Sequence, residues 1–324
     1  MIPKIRVVTI GGGGGHAQVL KALKTVPGLS ITAICPSTDS GGSTGVLAQD
    51  YHSLGYLGDL TKCIAALCPD ELLAKALMFR YDGGCFHGHS VKNMLFLALE
   101  RTGGLQDALE TMYRTCGLGE HRVIPVTTER TELCATLRIG SRIQGETHID
   151  TIAKNPLWHP QYHAIQRVYL NPEIPASKDA VSALREAEWC VICPGDLYSS
   201  ILPVLLPTGV KESFRDSARL KVVIVLNIMT KQGETDNYTA MDFVVQVEER
   251  IGRPCDLILC NNAPLPDKLL LQYALEQKVQ LDPVSAERDP RVRLAPLSMV
   301  TEEGFLYHDP AKIRKELCKA FGLN

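Results

Sequence analysis

Five consecutive glycines, Gly11 to Gly15, separate the β-branched run Ile5-Arg6-Val7-Val8-Thr9-Ile10 from a segment, His16 to Lys24, whose Val19, Leu20 and Leu23 recur at helical spacing. Glycines there let the backbone approach an anion closely, and the helix behind them offers unpaired N–H groups and the positive end of its dipole. The chemistry predicted is binding of a phosphate or pyrophosphate. A second loop, Ser37-Thr38-Asp39-Ser40-Gly41-Gly42-Ser43-Thr44-Gly45, is made of small hydroxyls and glycines and reads as another anion nest. Polar loops of the same kind recur at Gly58-Asp59, Gly88-His89-Ser90, Pro194 to Ser200 and Asn227 to Asp236.

Other signatures fail on inspection of their neighbours. Gly12-x-Gly14-x-x-Ala17 fits a dinucleotide fingerprint, but a glycine pentamer satisfies almost any such pattern. A nicotinamide site also needs an acidic residue at the end of the second strand, where this chain has Cys35-Pro36. An NAD-linked oxidoreductase is therefore the remote alternative. No Gly-Lys-Ser/Thr follows the glycines at Walker spacing. The CxxC at Cys190 and Cys193 lies in an apolar run that reads as a strand, which points the two thiols to opposite faces. His159 and His163 have a metal-ligand spacing, but Pro160 intervenes and no Glu follows His159.

The glycine cradle requires a strand before it and a helix after it. A second strand, Ser30 to Cys35, follows the Pro27-Gly28 break, so the chain opens as a right-handed βαβ unit. The same grammar returns at Trp189 to Cys193, Lys221 to Asn227 and Cys255 to Asn261. This predicts an α/β, Rossmann-like parallel sheet with helices on both faces, whose ligands sit beyond the carboxyl ends of the strands. The loops after Ile10, Cys35, Cys193 and the Lys221 strand should then converge on one crevice. Between the halves, about Asp59 to Cys116 reads as helices, the clearest at His89 to Arg101. Leu133 to Ile139 and Arg142 to Thr147 read as a hairpin around Gly140-Ser141, with Val168 to Leu170 closing a small sheet. A single domain, 1–324, is expected, with 1–120 and 177–324 forming the α/β core and 121–176 a small β excursion.

Composition narrows the partners. The 324 residues carry 34 basic and 36 acidic side chains and are 45% apolar, enough for a large core. A net charge of -2 leaves no footprint for nucleic acid or for an anionic membrane surface. The chain reaches its glycines before a signal-peptide core could form, and no apolar run approaches the roughly 20 residues of a spanning helix. Eleven cysteines scattered through apolar segments suit buried thiols in a reducing compartment. The expected location is the cytoplasm, with no membrane insertion.

The order of the motifs resembles the YvcK/CofD family. It is carried by Ile10 to Gly15, Thr38 to Gly45, Gly58-Asp59, Gly88-His89-Ser90-Val91-Lys92-Asn93, Pro194-Gly195 with Leu197 to Pro203, Asn227-Ile228-Met229-Thr230, Gly233-Glu234-Thr235-Asp236 and His308-Asp309-Pro310. That family joins the bacterial gluconeogenesis factor, a nucleotide-sugar binder linked to carbon metabolism and cell shape, to the 2-phospho-L-lactate transferase of deazaflavin-cofactor synthesis. The Asn-Ile-Met-Thr and Gly-Glu-Thr-Asp blocks and the His-Asp-Pro tail place the chain nearer the gluconeogenesis factor.

The resemblance implies a nucleoside diphosphate compound, a UDP-sugar of the UDP-N-acetylglucosamine type, across the strand ends. Gly12, Gly13, Gly14, Gly15, Gly41, Gly42 and Ser43 would hold phosphates beside His89 and Asn93. Gly195 and Tyr198 belong to the same shell, and Asn227, Thr230, Glu234 and Asp236 would line the opposite wall. In the transferase branch magnesium offsets the phosphate charge, and its analogous ligands here are Asp39, Asp59 and Asp196. No flavin, haem or zinc is expected, and the fold is compatible with a homodimer. The chain departs from the family pattern at Gly14, Ser40, Leu60-Thr61-Lys62, Asp196 and Tyr307. Asp196 puts a negative charge where an anion would approach, which makes sense only with a metal, a positive neighbour or a shifted ligand.

Several of these residues have a plainer reading. Asp39 and Asp59 are metal ligands or turn and helix caps. His89 is an acid/base or phosphate donor, or merely the start of the apolar helix Val91 to Leu99. Tyr198 and Tyr273 stack on a base or pack in the core.

Overall fold

The computed structural model of the chain describes residues 4–51 and 55–323. Its strands in chain order are β1 (Ile5–Ile10), β2 (Leu29–Cys35), β3 (Arg122–Pro125), β4 (Glu132–Leu137), β5 (Arg142–Gln144), β6 (Ile165–Asn171), β7 (Trp189–Ile192), β8 (Lys221–Val225), β9 (Leu257–Asn261), β10 (Val292–Ala295), β11 (Ser298–Val300) and β12 (Leu306–His308). Seven of them form one sheet in the order β10-β9-β8-β7-β1-β2-β3. Every neighbouring pair in it is parallel, with Val8 of β1 opposite Thr32 of β2 on one side and Cys190 of β7 on the other.

The strands read as near-continuous apolar runs because both faces are covered. Val7, Ile31, Ala33, Val191 and Val223 pack with helices Gly13–Leu23, Leu57–Leu67, Val91–Thr115 and Pro310–Phe321. Val8, Ile10, Ile34, Ile192 and Ile224 pack with helices Lys178–Glu186, Val210–Asp216 and Ala240–Ile251. Each fully buried Val, Ile or Leu contributes about 1.5–3 kcal/mol, so the alternation along each strand drives the layering. Cys190 and Cys193 do belong to opposite layers.

The strand order places the site. From β1 the chain steps outward through β2 to β3, then returns beside β1 at β7 and steps the other way. The loops after β1 and β7 therefore diverge from a switch point, where open α/β sheets keep their ligand crevice.

Three features differ from the sequence reading. The strand β3 falls inside the expected excursion, yet it pairs with β2 as the edge of the main sheet. The excursion proper is the antiparallel sheet β5-β4-β6, and it starts after Pro125. The helix expected at His89 to Arg101 runs from Val91 to Thr115, broken at Gly104, whose φ of 83° is open to glycine. The β11–β12 hairpin was not legible, and it carries Tyr307 and His308 back to the strand ends. Among the described residues no helix is long and apolar enough to cross a membrane.

Candidate functional site

The glycine run forms the turn from β1 into helix Gly13–Leu23 and its first turn, and the structure shows which glycines the geometry demands. A Cβ on Gly15 would lie 2.1 Å from the Pro194 carbonyl oxygen, and one on Gly12 would lie 2.5 Å from Oδ2 of Asp59. Gly13 has φ +67°, the left-handed region. Gly14, by contrast, meets only Tyr307, at 3.5 Å. No N-cap side chain and no first-turn acid neutralise the helix end. The Gly13 N–H instead donates to Asp59 Oδ1 at 2.8 Å, across from helix Leu57–Leu67. Lys62 Nζ stands 3.5 Å from the same oxygen.

The second loop is braced by the same helix. Asp39 Oδ1 accepts the Gly41 N–H at 2.9 Å, and a Cβ on Gly58 would collide with Asp39 Oδ2 at 2.4 Å. Burial, and then the charge of Asp59, hold the Asp39 carboxyl above its usual range. Two carboxylates thus stand behind two glycine loops, near enough for one to shift the other, and offer oxygen ligands for a hard cation. Ser43 Oγ lies 3.1 Å from His89 Nδ1 and accepts from Asn93 Nδ2 at 3.3 Å. The expected cluster of Ser43, His89 and Asn93 is therefore assembled. Beneath it Lys92 is buried, donating to Gly58 O at 3.0 Å, Thr61 Oγ1 at 3.0 Å and Asn93 Oδ1 at 2.7 Å. Burial, and then Lys62, push this ammonium down to about 7.

On the far side, Asn227 clamps the Gly195 peptide: Oδ1 accepts its N–H at 3.0 Å and Nδ2 donates to its carbonyl at 2.7 Å. Thr230 Oγ1 accepts the Val279 N–H at 2.9 Å. Asp196 is answered by a positive neighbour, because Lys231 Nζ lies 2.8 Å from its Oδ2. The same ammonium pairs with Asp150 and, at 3.0 Å, with Glu234 Oε1. Burial alone would lower the Lys231 pKa, but the charges of Glu234, Asp196 and Asp150 hold it above its usual range.

Those expected residues that line a cleft divide between three clefts instead of sharing one. Gly15, Gly195, Asp196, Asn227 and Thr230 line a cleft of about 310 Å³ with Lys231, Lys278 and Tyr307. Asp39 opens on a second, of about 530 Å³, with Ser37, Thr38, Arg130 and Glu146. Glu146 is pushed up to about 8 by burial and by Asp39 and Asp150. Glu234 and Asp236 border a third cleft, so they do not form the wall expected of them. The Glu234 side chain is fully buried, accepting the Tyr198 N–H at 2.8 Å and the Ser199 hydroxyl at 2.7 Å. Asp236 Oδ2 caps the Gly233 N–H at 2.8 Å within its own turn. Tyr198 does not face a ligand: its ring is 1% exposed and its hydroxyl meets that of Tyr238 at 2.6 Å. The apolar run Leu197 to Leu205 carries that ring into the core. Tyr273 does not pack in the core: it is half-buried, its hydroxyl accepts the Leu306 N–H at 3.1 Å, and it borders the first cleft.

Asp39, Asp59 and Asp196 do not gather into one triad. Among the described residues the carboxylate cluster around Asp196 consists of Asp150, Asp196 and Glu234, and Lys231 sits among them. Sequence reading missed Lys92, Asp150, Glu146 and Lys231 as site residues. Lys92 lies inside the Gly88 to Asn93 motif and Lys231 between two others, but a lone lysine among polar residues looks like any solvated cation. The end of β2 is occupied by buried Cys35 and followed by buried Pro36, which leaves the ribose clamp of a nicotinamide site without its acid.

Comparison with known proteins agrees with this architecture. Residues 7–297 match the model of the family described as 2-phospho-L-lactate transferase CofD. A gluconeogenesis-factor relative from Deinococcus radiodurans is 36% identical over 97% of this chain, which spans 65% of that protein. The gluconeogenesis factor of Bacillus subtilis is 33% identical, the match covering 86% of each protein. A crystal structure of a UPF0052-family protein from Bacillus halodurans superposes with a TM-score of 0.86 at 29% identity, covering 97% of this chain and 99% of that one. The chain belongs to the YvcK/CofD family, among the relatives of the gluconeogenesis factor.

Proposed function

We propose that this chain binds a nucleoside diphosphate sugar, of the UDP-N-acetylglucosamine type, at the strand ends of β1, β7 and β8, and acts as a cytoplasmic regulator of carbon metabolism and cell shape. The observation that carries the reading is the helix Gly13–Leu23, which has no N-cap side chain and no first-turn acid of its own, gives only its Gly13 N–H to Asp59, and borders at Gly15 a cleft containing Lys231 and Lys278. A diphosphate there meets N–H groups and two ammonium groups, while Gly15 and Gly195 keep the floor free of side chains. Asn227 holds the Gly195 peptide in place, and Ser43, His89 and Asn93 offer further donors beside the second glycine loop. The Lys231 ammonium lessens the repulsion by Asp196 but is shared with Asp150 and Glu234, so the helix end and Lys278 carry most of the attraction for the anion.

A second reading, a magnesium-dependent transferase of the 2-phospho-L-lactate transferase type, is favoured by one observation: the carboxylates of Asp39 and Asp59, near enough for Asp59 to raise Asp39. They would hold the cation, which offsets phosphate charge, and His89 would stand by as a proton donor. Nothing comparable supports a homodimer.

A thermal-shift panel of UDP-N-acetylglucosamine, UDP-glucose, UDP, GDP, GTP, NAD and NADP, with and without magnesium, separates the readings. A ligand at 100 times its dissociation constant stabilises by about 2.7 kcal/mol, which is readily visible. Stabilisation by UDP-sugars without magnesium is expected. Silence from them, with magnesium-dependent shifts from guanine nucleotides, would overturn the first reading in favour of the second.

A further inference from the structure

Directly beneath the glycine loop lie two thiols and an imidazole that the proposed ligand site does not use. Cys35 ends β2, Cys63 lies on helix Leu57–Leu67 and His16 lies on helix Gly13–Leu23; all three are 0% exposed. The Cys35 and Cys63 sulfurs are 3.5 Å apart, and Cys63 Sγ is 3.5 Å from His16 Nδ1. We infer that Cys35 and Cys63 form a dithiol that closes to a disulfide, with His16 as the positioning residue that activates Cys63.

The orientation of His16 distinguishes this from a metal centre, although the three ligand atoms lie within 4.8 Å of one another. Nδ1 is 2.8 Å from the Gly11 carbonyl, which can only accept, so Nδ1 carries its proton. Nε2 is 2.8 Å from the Thr9 hydroxyl. Neither nitrogen presents a free lone pair to a cation between the sulfurs. The Nδ1–H is given first to Gly11, with Cys63 Sγ 3.5 Å from the same nitrogen, so a positive charge on that imidazole favours the thiolate, the reactive form of a cysteine. Consistently, Cys63 is lowered despite burial, through the Cys35 hydrogen bond and then His16, whereas burial raises Cys35.

The chemistry balances with a hydroperoxide as oxidant. The Cys63 thiolate attacks the peroxide oxygen and breaks the O–O bond, giving a sulfenic acid and hydroxide. The Cys35 sulfur then attacks the Cys63 sulfur, forms the S–S bond and expels the second hydroxide. The two thiol protons complete two waters for each hydrogen peroxide consumed. Closure must draw the sulfurs from 3.5 Å to about 2.05 Å. Asp59, one turn before Cys63, holds the Gly13 N–H, and Cys35 leads into the Asp39 loop, so closure acts on both glycine loops.

The test uses the full chain, reduced, desalted and treated with graded hydrogen peroxide, then alkylated under denaturing conditions and mapped as non-reduced peptides by mass spectrometry. The expected product is one linked pair, Cys35 with Cys63, formed more slowly than modification of exposed Cys85 because the pair is sealed. His16→Gln should slow formation of the pair about tenfold or more and leave Cys85 unchanged. Amide exchange over residues 11–16 should change on oxidation. Recovery of Cys35 and Cys63 as free thiols after prolonged treatment with excess peroxide, long after Cys85 is consumed, would overturn the inference. So would stoichiometric zinc in the purified protein, released on alkylation of these two cysteines. The wild-type map decides the pairing even where a variant fails to fold.

Discussion

Replacing Lys231 by Met removes the ammonium that pairs with Asp150, Asp196 and Glu234. Asp150 and Asp196 have side chains 35% and 42% exposed and can be rehydrated, so their share is small. Glu234 is 0% exposed and cannot. Breaking a buried pair by deleting one partner costs about 3–5 kcal/mol. The lower end, about 3 kcal/mol, applies here because the lysine is itself 19% exposed and Glu234 keeps donors from Tyr198 and Ser199. The loss should depend on pH in a definite sense. Burial already holds the Glu234 carboxyl above its ordinary value, and without Lys231 it rises further. An acid raised on folding binds its proton in the native state, so stability falls as pH climbs from the unfolded value through the folded one. Urea unfolding followed by circular dichroism should therefore find Lys231→Met weaker at pH 8 than at pH 5. Lys231→Met with Glu234→Gln should recover most of the loss at pH 8. A loss below about 1 kcal/mol at pH 8 would refute the reasoning, as would the absence of rescue.

Two further expectations separate geometry from composition. Gly15→Ala drives a Cβ into the Pro194 carbonyl and should cost at least about 2 kcal/mol, or abolish nucleotide-dependent stabilisation by parting the two loops, whereas Gly14→Ala should stay within about 0.5 kcal/mol; equal effects in urea titrations would contradict the cradle. Glu146→Gln removes an acid whose pKa is pushed up to about 8, a group that costs stability increasingly as pH rises from its unfolded range to about 8. The variant should gain on the order of 1 kcal/mol over wild type at pH 9 and almost nothing at pH 4, a difference readable from paired melting curves.

What could be read along the chain is what local chemistry enforces. Ile5–Ile10, the glycines and the helix after them reveal themselves through β-branching, turn preference and periodicity, each decided within a few residues. The parallel sheet followed from repeats of that unit, because a right-handed crossover leaves few other arrangements. Short strands such as β3 and β12 carry too few residues for a period, and only the neighbours they pair with gave them a place.

The site divides the same way. That glycines and small hydroxyls would gather at strand ends was written in the sequence. Which carboxylate met which cation was not: Lys231 reaches Asp150 from 81 positions away and Asp59 reaches Gly13 from 46. Tyr198 looked equally suited to a base or to the core, and burial of the Leu197 to Leu205 run settled it. Asp196 looked like an unexplained charge until the tertiary structure put an ammonium beside it. Charge pairing and burial depend on distances through space, which residues far apart in the chain acquire only once the sheet and its two helical layers have closed.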